Sequence, residues 1–336
     1  MLTQANSEGS AAFTMRETVQ LALLIAIQVI IASDLSLASL AVPSIASSFH
    51  VSALSAQWAI SGMMLGFAGF LLVGGRLSDI YGQRFCLCAG LALYCAGALG
   101  SGVAGSMPVL IASRVLQGLG AAILYPAALS LIFLIFAEGP RRFRALSLSS
   151  AIQCMATSLS AIAAGWLFSR MGWRGAFLMA APLGVLTLGL TPFSFPKRPG
   201  SKAEGGVDFL GAGLATLSSA LLVWTIPGLV TEHASATMLV CCAAGVAGAG
   251  AFVLLQRRLK APLIPRDVVQ SKNFALGVIL VSMIATAVGG LLSIGLMSMQ
   301  RGLHLSPLQA GLGILPYGSA SLAVSLIAPR TASRST

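Results

Sequence analysis

Ten long apolar blocks succeed one another along the chain, separated by short polar stretches rich in turn residues. They fall at about 20–43, 54–74, 85–104, 108–136, 144–168, 175–195, 209–230, 235–256, 273–298 and 308–329. A hydrocarbon core about 30 Å thick is crossed by roughly 20 helical residues, so each block predicts a membrane-spanning helix. No strand-like alternation is present, and in lipid only a helix or a closed barrel satisfies its own backbone. Turn chemistry marks the breaks at Val42-Pro43, Gly139-Pro140 and Phe195-Pro196. In the third block, small residues recur at Ala92, Ala96, Gly100 and Ala104, which predicts a face for close helix contact.

Composition agrees with the pattern. Of 336 residues, 57% are hydrophobic and 9% charged, with a mean hydropathy of +0.90. Soluble domains carry about 25% charged residues. A soluble enzyme, a secreted disulfide scaffold and a disordered regulator are thereby excluded, and the spare apolar surface is expected to face a lipid bilayer. The net charge of +11 would suggest nucleic acid in a soluble protein. The positions of the charges point elsewhere. With the N-terminus in the cytoplasm, sixteen of the 20 Lys and Arg fall on the cytoplasmic side. Arg170, Arg174 and Arg301 fall outside, and Arg114 lies within a span. That is the positive-inside bias, so the basic excess reports topology and no nucleic-acid partner is expected. Cys86, Cys88, Cys95, Cys154, Cys241 and Cys242 lack C-x-x-C or metal-ligand spacing and read as packing residues. The polar start reads as no cleavable signal, so the first apolar run is expected to stay.

The organisation expected is an all-α multispanning membrane protein. Residues 1–19 form a cytoplasmic tail, 20–195 a six-span bundle, and 196–208 a polar, Gly/Pro-rich linker. Residues 209–256 form a helix pair, 257–272 a basic cytoplasmic loop, and 273–336 a further two spans.

Charges within spans are costly and are functional candidates by default. Away from the span ends there are two, Asp34 and Arg114. Asp34 lies roughly 20 Å from the inner boundary and Arg114 roughly 9 Å from the outer one, at 1.5 Å per residue across a ~30 Å core. Their depths nearly coincide, which permits an ion pair, or a switchable acid beside a fixed cation. The structural alternative is that each snorkels or pairs with backbone carbonyls. From Arg114, one helix face carries Gln117, Gly118, Ala121, Ala122 and Tyr125, a stripe suited to a cavity or to a packed neighbour. Gln28 and Gln153 are further polar residues at membrane depth. With Gln117 and Tyr125 they are candidates for a substrate path, and an interhelical hydrogen bond explains each glutamine equally well. The loop between spans two and three reads G-x-x-x-D-x-x-G-x-R over Gly75, Asp79, Gly82 and Arg84.

In that position the loop resembles the cytoplasmic signature of the major facilitator superfamily, with Gln83 where a basic residue is usual. Arg114 through Ala122 matches the R-x-x-Q-G-x-G-A-A motif of span four. Asp34 through Val42-Pro43 resembles the D-x-T-I-V-N-V-A-L-P of the fourteen-span drug:proton antiporter branch, keeping the Asp, an Ala and the Pro. Gly172-Trp173-Arg174 with Phe177, Pro182 and Gly184 is similar to the branch's G-W-R-W-x-F…P-x-G. Ser306-Pro307-Leu308-Gln309-Ala310-Gly311 is similar to its S-P-L-Q-A-G. The resemblance runs from about residue 20 to the end. Two departures stand out. The antiporter motif G-P-x-x-G-G of span five is replaced by Ser160 through Gly165, without its proline. The ten spans also correspond to a C-terminally truncated fourteen-span chain.

The resemblance implies a major facilitator fold with a complete six-helix N-terminal half, two linker helices and an incomplete C-terminal half. It implies proton-coupled efflux of small drug-like or amphipathic compounds by alternating access, not enzymatic catalysis. Asp34 and Arg114 would couple protons, and Gly75, Asp79, Gly82 and Arg84 would form a cytoplasmic gate. The expected partners are the bilayer, a small-molecule substrate and protons, with no cofactor beyond the proton gradient and no metal. A second chain completing the missing half is the alternative to poor stability in detergent. The alternatives in function are a truncated, transport-inactive paralogue serving as a membrane or partner-binding protein, and a uniporter or importer of the same superfamily. The expected location is the bacterial inner (plasma) membrane with both termini cytoplasmic. A reporter fused after Thr336 should therefore be active only inside the cell; activity only outside would overturn the span count and the orientation together.

Overall fold

The computed structural model describes residues 13–197, 208–231, 235–259 and 271–332, and every regular element among them is helical. In chain order these are α1 (Met15–Phe49), α2 (Ala53–Ala56), α3 (Trp58–Tyr81), α4 (Gln83–Gly102), α5 (Met107–Ile135) and α6 (Pro140–Leu178). They are followed by α7 (Ala180–Ser194), α8 (Phe209–Thr231), α9 (Ala236–Arg258), α10 (Lys272–Arg301), α11 (Pro307–Gly313) and α12 (Leu315–Ala332). Most of the expected N-terminal tail, the linker 196–208 and the basic loop 257–272 lies outside the described residues.

Eight segments among the described residues are long and apolar enough to cross a membrane. They account for eight of the ten expected spans. The other two are helical as well. The expected span 209–230 is a single helix of 23 residues, α8, long enough to cross a bilayer. The expected span 308–329 is divided at Ile314 into α11 and α12. Local chemistry sets several boundaries. A capping box opens α1: Thr14 Oγ1 accepts from the Glu17 amide at 3.2 Å, and the Glu17 carboxylate accepts from the Thr14 amide at 2.8 Å. Within α6 the chain turns at Gly172, whose φ of 67° suits glycine, and the element contains the crossing Pro140–Phe168 and the start of the crossing Arg170–Ser194.

Helix α5 is central, packed against α3 on one side and α4 on the other. Close approach rests on glycines. A Cβ added at Gly66 on α3 would lie 2.5 Å from the Val115 carbonyl oxygen, and one at Gly97 on α4 would lie 2.5 Å from the Gln117 nitrogen. This corrects the first half of the face expected for the third block. Ala92 and Ala96 are exposed, whereas Gly100 lies against Ser113 and Ala104 is fully buried; over the rest of α4 the buried side carries Gly90, Tyr94, Gly97, Ala98 and Ser101. Both stripes are small, but only glycine lets two backbones come this near, so the glycine stripe takes the contact.

Around this block, α1 packs on α6 and α7, and α11 and α12 pack on α6. The α8–α9 pair attaches through α8 to α3, where Thr216 lies over Gly69. All six cysteines are free, with Cys86 and Cys95 buried.

Gly97→Val should therefore lower the unfolding free energy in detergent by about 1–3 kcal/mol through overpacking. Ala92→Val, on the exposed stripe, should stay within about 0.5 kcal/mol of wild type. Equal losses in thermal unfolding would show that the contact face has been misassigned.

Candidate functional site

At the junction of α1, α3 and α5, Asp34 and Arg114 form a salt bridge with each side chain only 1% exposed. The contact is bidentate. Arg114 Nη1 donates to Asp34 Oδ1 at 3.0 Å, and Nη2 donates to Oδ2. The remaining donors are also engaged: Nε to the Ala59 carbonyl at 2.7 Å, Nη1 to Gln117 Oε1 at 2.7 Å, and Nη2 to Met63 Sδ at 3.2 Å. A guanidinium has five N–H groups, and all five have partners here. Gln117 closes the network by donating from Nε2 to Asp34 Oδ1 at 3.0 Å. Above the cation lies the Phe177 ring, its centroid 4.9 Å from Arg114 Cζ.

The sequence supplies this arrangement through backbone proximity. Arg114 and Gln117 stand one turn apart on α5, so both reach the same carboxylate on α1. A Cβ added at Gly118 would run into the Met63 carbonyl oxygen, and one at Gly66 would lie 2.5 Å from the Val115 carbonyl oxygen; their absence lets α3 bring Ala59 and Met63 within reach.

The other expected residues are distributed elsewhere. Gln153 Nε2 donates to Gln28 Oε1, an interhelical hydrogen bond between α6 and α1. Tyr125 is not joined to that pair; its ring meets Phe67 of α3 edge-on, with centroids 6.0 Å apart. The stripe beyond Arg114 is a packing face, since Gly118 lies against the backbone of Met63 and Phe67. In the loop between α3 and α4, Gly82 makes the turn at φ 86°. Asp79 and Arg84 are not brought together. Asp79 is exposed, and Arg84 Nη1 donates at 3.3 Å to the Phe195 carbonyl at the end of α7. Gly75 is loosely packed, the nearest atom to an added Cβ being Pro126 Cβ at 3.9 Å.

Residues 24–335 match the Major Facilitator Superfamily as a family. The chain belongs to that superfamily. It is 34% identical to the cephamycin export protein CmcT of Amycolatopsis lactamdurans, over 96% of this chain and 67% of that protein. With the lincomycin resistance protein of Streptomyces lincolnensis it shares 31% identity, over 92% of this chain and 64% of that one. The multidrug resistance protein Stp of Mycobacterium tuberculosis is 30% identical over 88% of this chain, which spans 55% of that relative. The chain thus spans two thirds or less of the length of these relatives. Among solved structures, the proton:xylose symporter XylE superposes with a TM-score of 0.61 at 15% identity, covering 93% of this chain and 68% of XylE. That likeness shows a shared fold.

For this superfamily member, the span-four motif is now a set of contacts: Arg114 and Gln117 bind the carboxylate, while Gly118 and Gly120 admit neighbouring helices. The G-W-R segment also reaches the site. Trp173 Nε1 donates to Ser48 Oγ at 2.9 Å, and the Trp173 ring stacks edge-on against Phe177. Arg174 Cζ lies 4.4 Å from the Trp173 centroid. The Phe177 contact and the Ala59 and Met63 acceptors were not anticipated. Phe177 stood within a quoted motif, but a backbone carbonyl and a thioether give no signal in the sequence.

Removing one partner of a buried pair leaves a naked charge, at a cost of about 3–5 kcal/mol. Arg114→Gln should destabilise the folded chain by that order, and adding Asp34→Asn should recover most of the loss. Thermal unfolding of the four members of the cycle measures it; strictly additive effects would mean that the two groups are not coupled.

Proposed function

We propose that this chain carries the proton-coupling part of an efflux transporter of the fourteen-span drug:proton antiporter branch, moving small amphipathic compounds by alternating access. In this reading, α1 to α7 form the six-span half and α8–α9 the inserted pair. Helices α10 to α12 are the first two spans of the second half. The rest of the path's wall would come from the further length that the relatives possess, in the same polypeptide or a second one. The membrane is the bacterial inner membrane, with the basic loops in the cytoplasm, and the proton gradient is the energy source with no bound cofactor.

The observation that carries the proposal is the carboxylate of Asp34 buried against Arg114 and Gln117. A proton on Asp34 and an intact ion pair compete for the same oxygens. Protonation therefore weakens the link between α1 and α5, and re-forming the link expels the proton. A site that is reached from one side with the pair closed and from the other with it open would tie proton movement to helix movement. Arg114 keeps its charge throughout, because guanidinium does not deprotonate in proteins. The names of the relatives support export of antibiotics as the substrate class.

In proteoliposomes holding the full-length transporter, Asp34→Asn should abolish substrate movement driven by an imposed pH gradient and leave insertion intact. Arg114→Lys should impair transport as well, since an ammonium cannot form the two-pronged contact. Gradient-driven transport that survives Asp34→Asn would remove Asp34 from the mechanism.

A further inference from the structure

A cavity of about 300 Å³ opens at the end of the bundle where α1 begins, bounded by the starts of α1 and α4 and the ends of α5 and α7. Its lining divides by chemistry. Arg16, Gln20, Gln83 and Arg84 supply one side, and Leu131, Leu134, Ile135 and Phe195 the other. Glu17 also borders it, but its carboxylate is taken by Arg141 at 2.8 Å, so the free charge facing the space is positive. Arg16 is exposed, with no side-chain hydrogen bond or ion pair among the described residues. Arg84 uses Nη1 on the Phe195 carbonyl, which fixes the guanidinium against the cavity wall. Gln20, 6% exposed, anchors its amide on the Ser194 carbonyl at 2.7 Å. The network around Asp34 lies deeper in the bundle and has no part in this space.

We propose that this cavity binds the headgroup of an anionic phospholipid from the adjoining leaflet. The phosphate would lie between Arg16 and Arg84, and the first part of an acyl chain against Leu131, Leu134 and Ile135. Three features fit one occupant. Two arginines offer donors to a phosphate, which a guanidinium matches in geometry. The apolar wall ends at Leu134, 46% exposed, so an acyl chain laid against it can run out onto the surface of the bundle. With the α1 start cytoplasmic, as the distribution of Lys and Arg predicts, the cavity would also lie where basic pockets between membrane helices meet acidic headgroups. A free phosphate would use the arginines and leave the apolar wall wet. The lipid uses both. The site asks nothing of the transport reading above, and its test measures binding alone.

The experiment uses the full chain, purified in mild detergent and examined by native mass spectrometry and thermal unfolding with added phosphatidylglycerol, phosphatidylcholine or inorganic phosphate. Wild type should retain phosphatidylglycerol in preference to phosphatidylcholine and be stabilised by it. Arg16→Gln should reduce that retention about fivefold, as expected for one arginine near the surface. Arg16 is exposed, so this variant keeps the test open if Arg84→Gln fails to fold. Arg170→Gln, at the opposite end, should bind as wild type does. Equal retention of both lipids by wild type, or unchanged retention in Arg16→Gln, would overturn the proposal. Stabilisation reproduced in full by inorganic phosphate would also overturn it, by assigning the cavity to a free anion.

Discussion

A guanidinium held at 1% exposure within a lipid-embedded bundle must have every donor satisfied, and much of this structure follows from how that is done. Two donors go to one carboxylate, one to a glutamine, one to a backbone carbonyl and one to a thioether. The carbonyl and the thioether belong to α3, and they reach Arg114 only because α3 and α5 are nearly in backbone contact. Gly66 on α3 and Gly118 on α5 provide that approach. The small residues of the span-four motif and its charged head are therefore one device. The glycines close the distance that the arginine's hydrogen bonds require. A larger residue at these positions would add strain and would also leave donors on a buried cation unpaired.

The same economy explains how α5 is held between α3 and α4. The contacts among those three helices are made by backbone against backbone, over several turns. Helix α1, whose polar link to Arg114 is Asp34, packs most extensively on α6 and to similar, lesser extents on α5 and α7. It also meets α10. Leu37 and Leu40 join Ala161, Ala164, Leu296, Ala310 and Ile314 in one buried cluster spanning α1, α6, α10, α11 and α12. That cluster is confined to one end of α10, whose residues from 271 to 287 are almost all exposed. On α6 the small residues that replace the expected proline-containing motif do the packing. Gly311 lies against the Ala161 backbone, and Ser158 Oγ donates to the Ile314 carbonyl at 3.2 Å. Loss of the proline has thus kept a surface on which α11 and α12 sit.

Much of this was legible in the sequence because bilayer physics restricts the options. Counting residues from the span ends placed Asp34 and Arg114 at one depth, and they are paired. The limits of the method are equally physical. Ala92 and Ala96 met the small-residue rule, yet the rule does not say which of two small stripes a neighbour will choose; Gly90 and Gly97 took the contact because they lack a Cβ. Gln28 and Gln153 were separate candidates, and only the packing of α1 on α6 makes them each other's partner. Asp79 and Arg84 share a motif, but Arg84 meets the end of α7 and Asp79 remains exposed. Spacing along a chain reports neighbours on one helix well and contacts across a loop poorly.

The position of Asp34 on α1 then acquires a mechanical meaning within the proposed function. Leu37 is three residues further along the same helix and lies in the cluster with α10 to α12. Asp34 and the contact between the bundle and the later helices are thus less than one turn apart. A rotation or shift of α1 that separates Asp34 from Arg114 must also disturb Leu37 and Leu40 against Leu296 and Ile314. The converse holds too, since any displacement of α10 and α11 pulls on the helix that carries the acid. Packed interfaces yield in steps rather than continuously, so one local event can favour one arrangement of the later helices over another. Phe177 adds a second link. It covers the Arg114 cation and touches Trp173, which is hydrogen-bonded to Ser48 near the end of α1. Two points of α1 are therefore tied to the same arginine: Asp34 by an ion pair, and Ser48 by an aromatic relay through Trp173 and Phe177. In the proposed function, opening the ion pair would break the first tie and leave the second, so α1 would turn about its Ser48 end rather than be released.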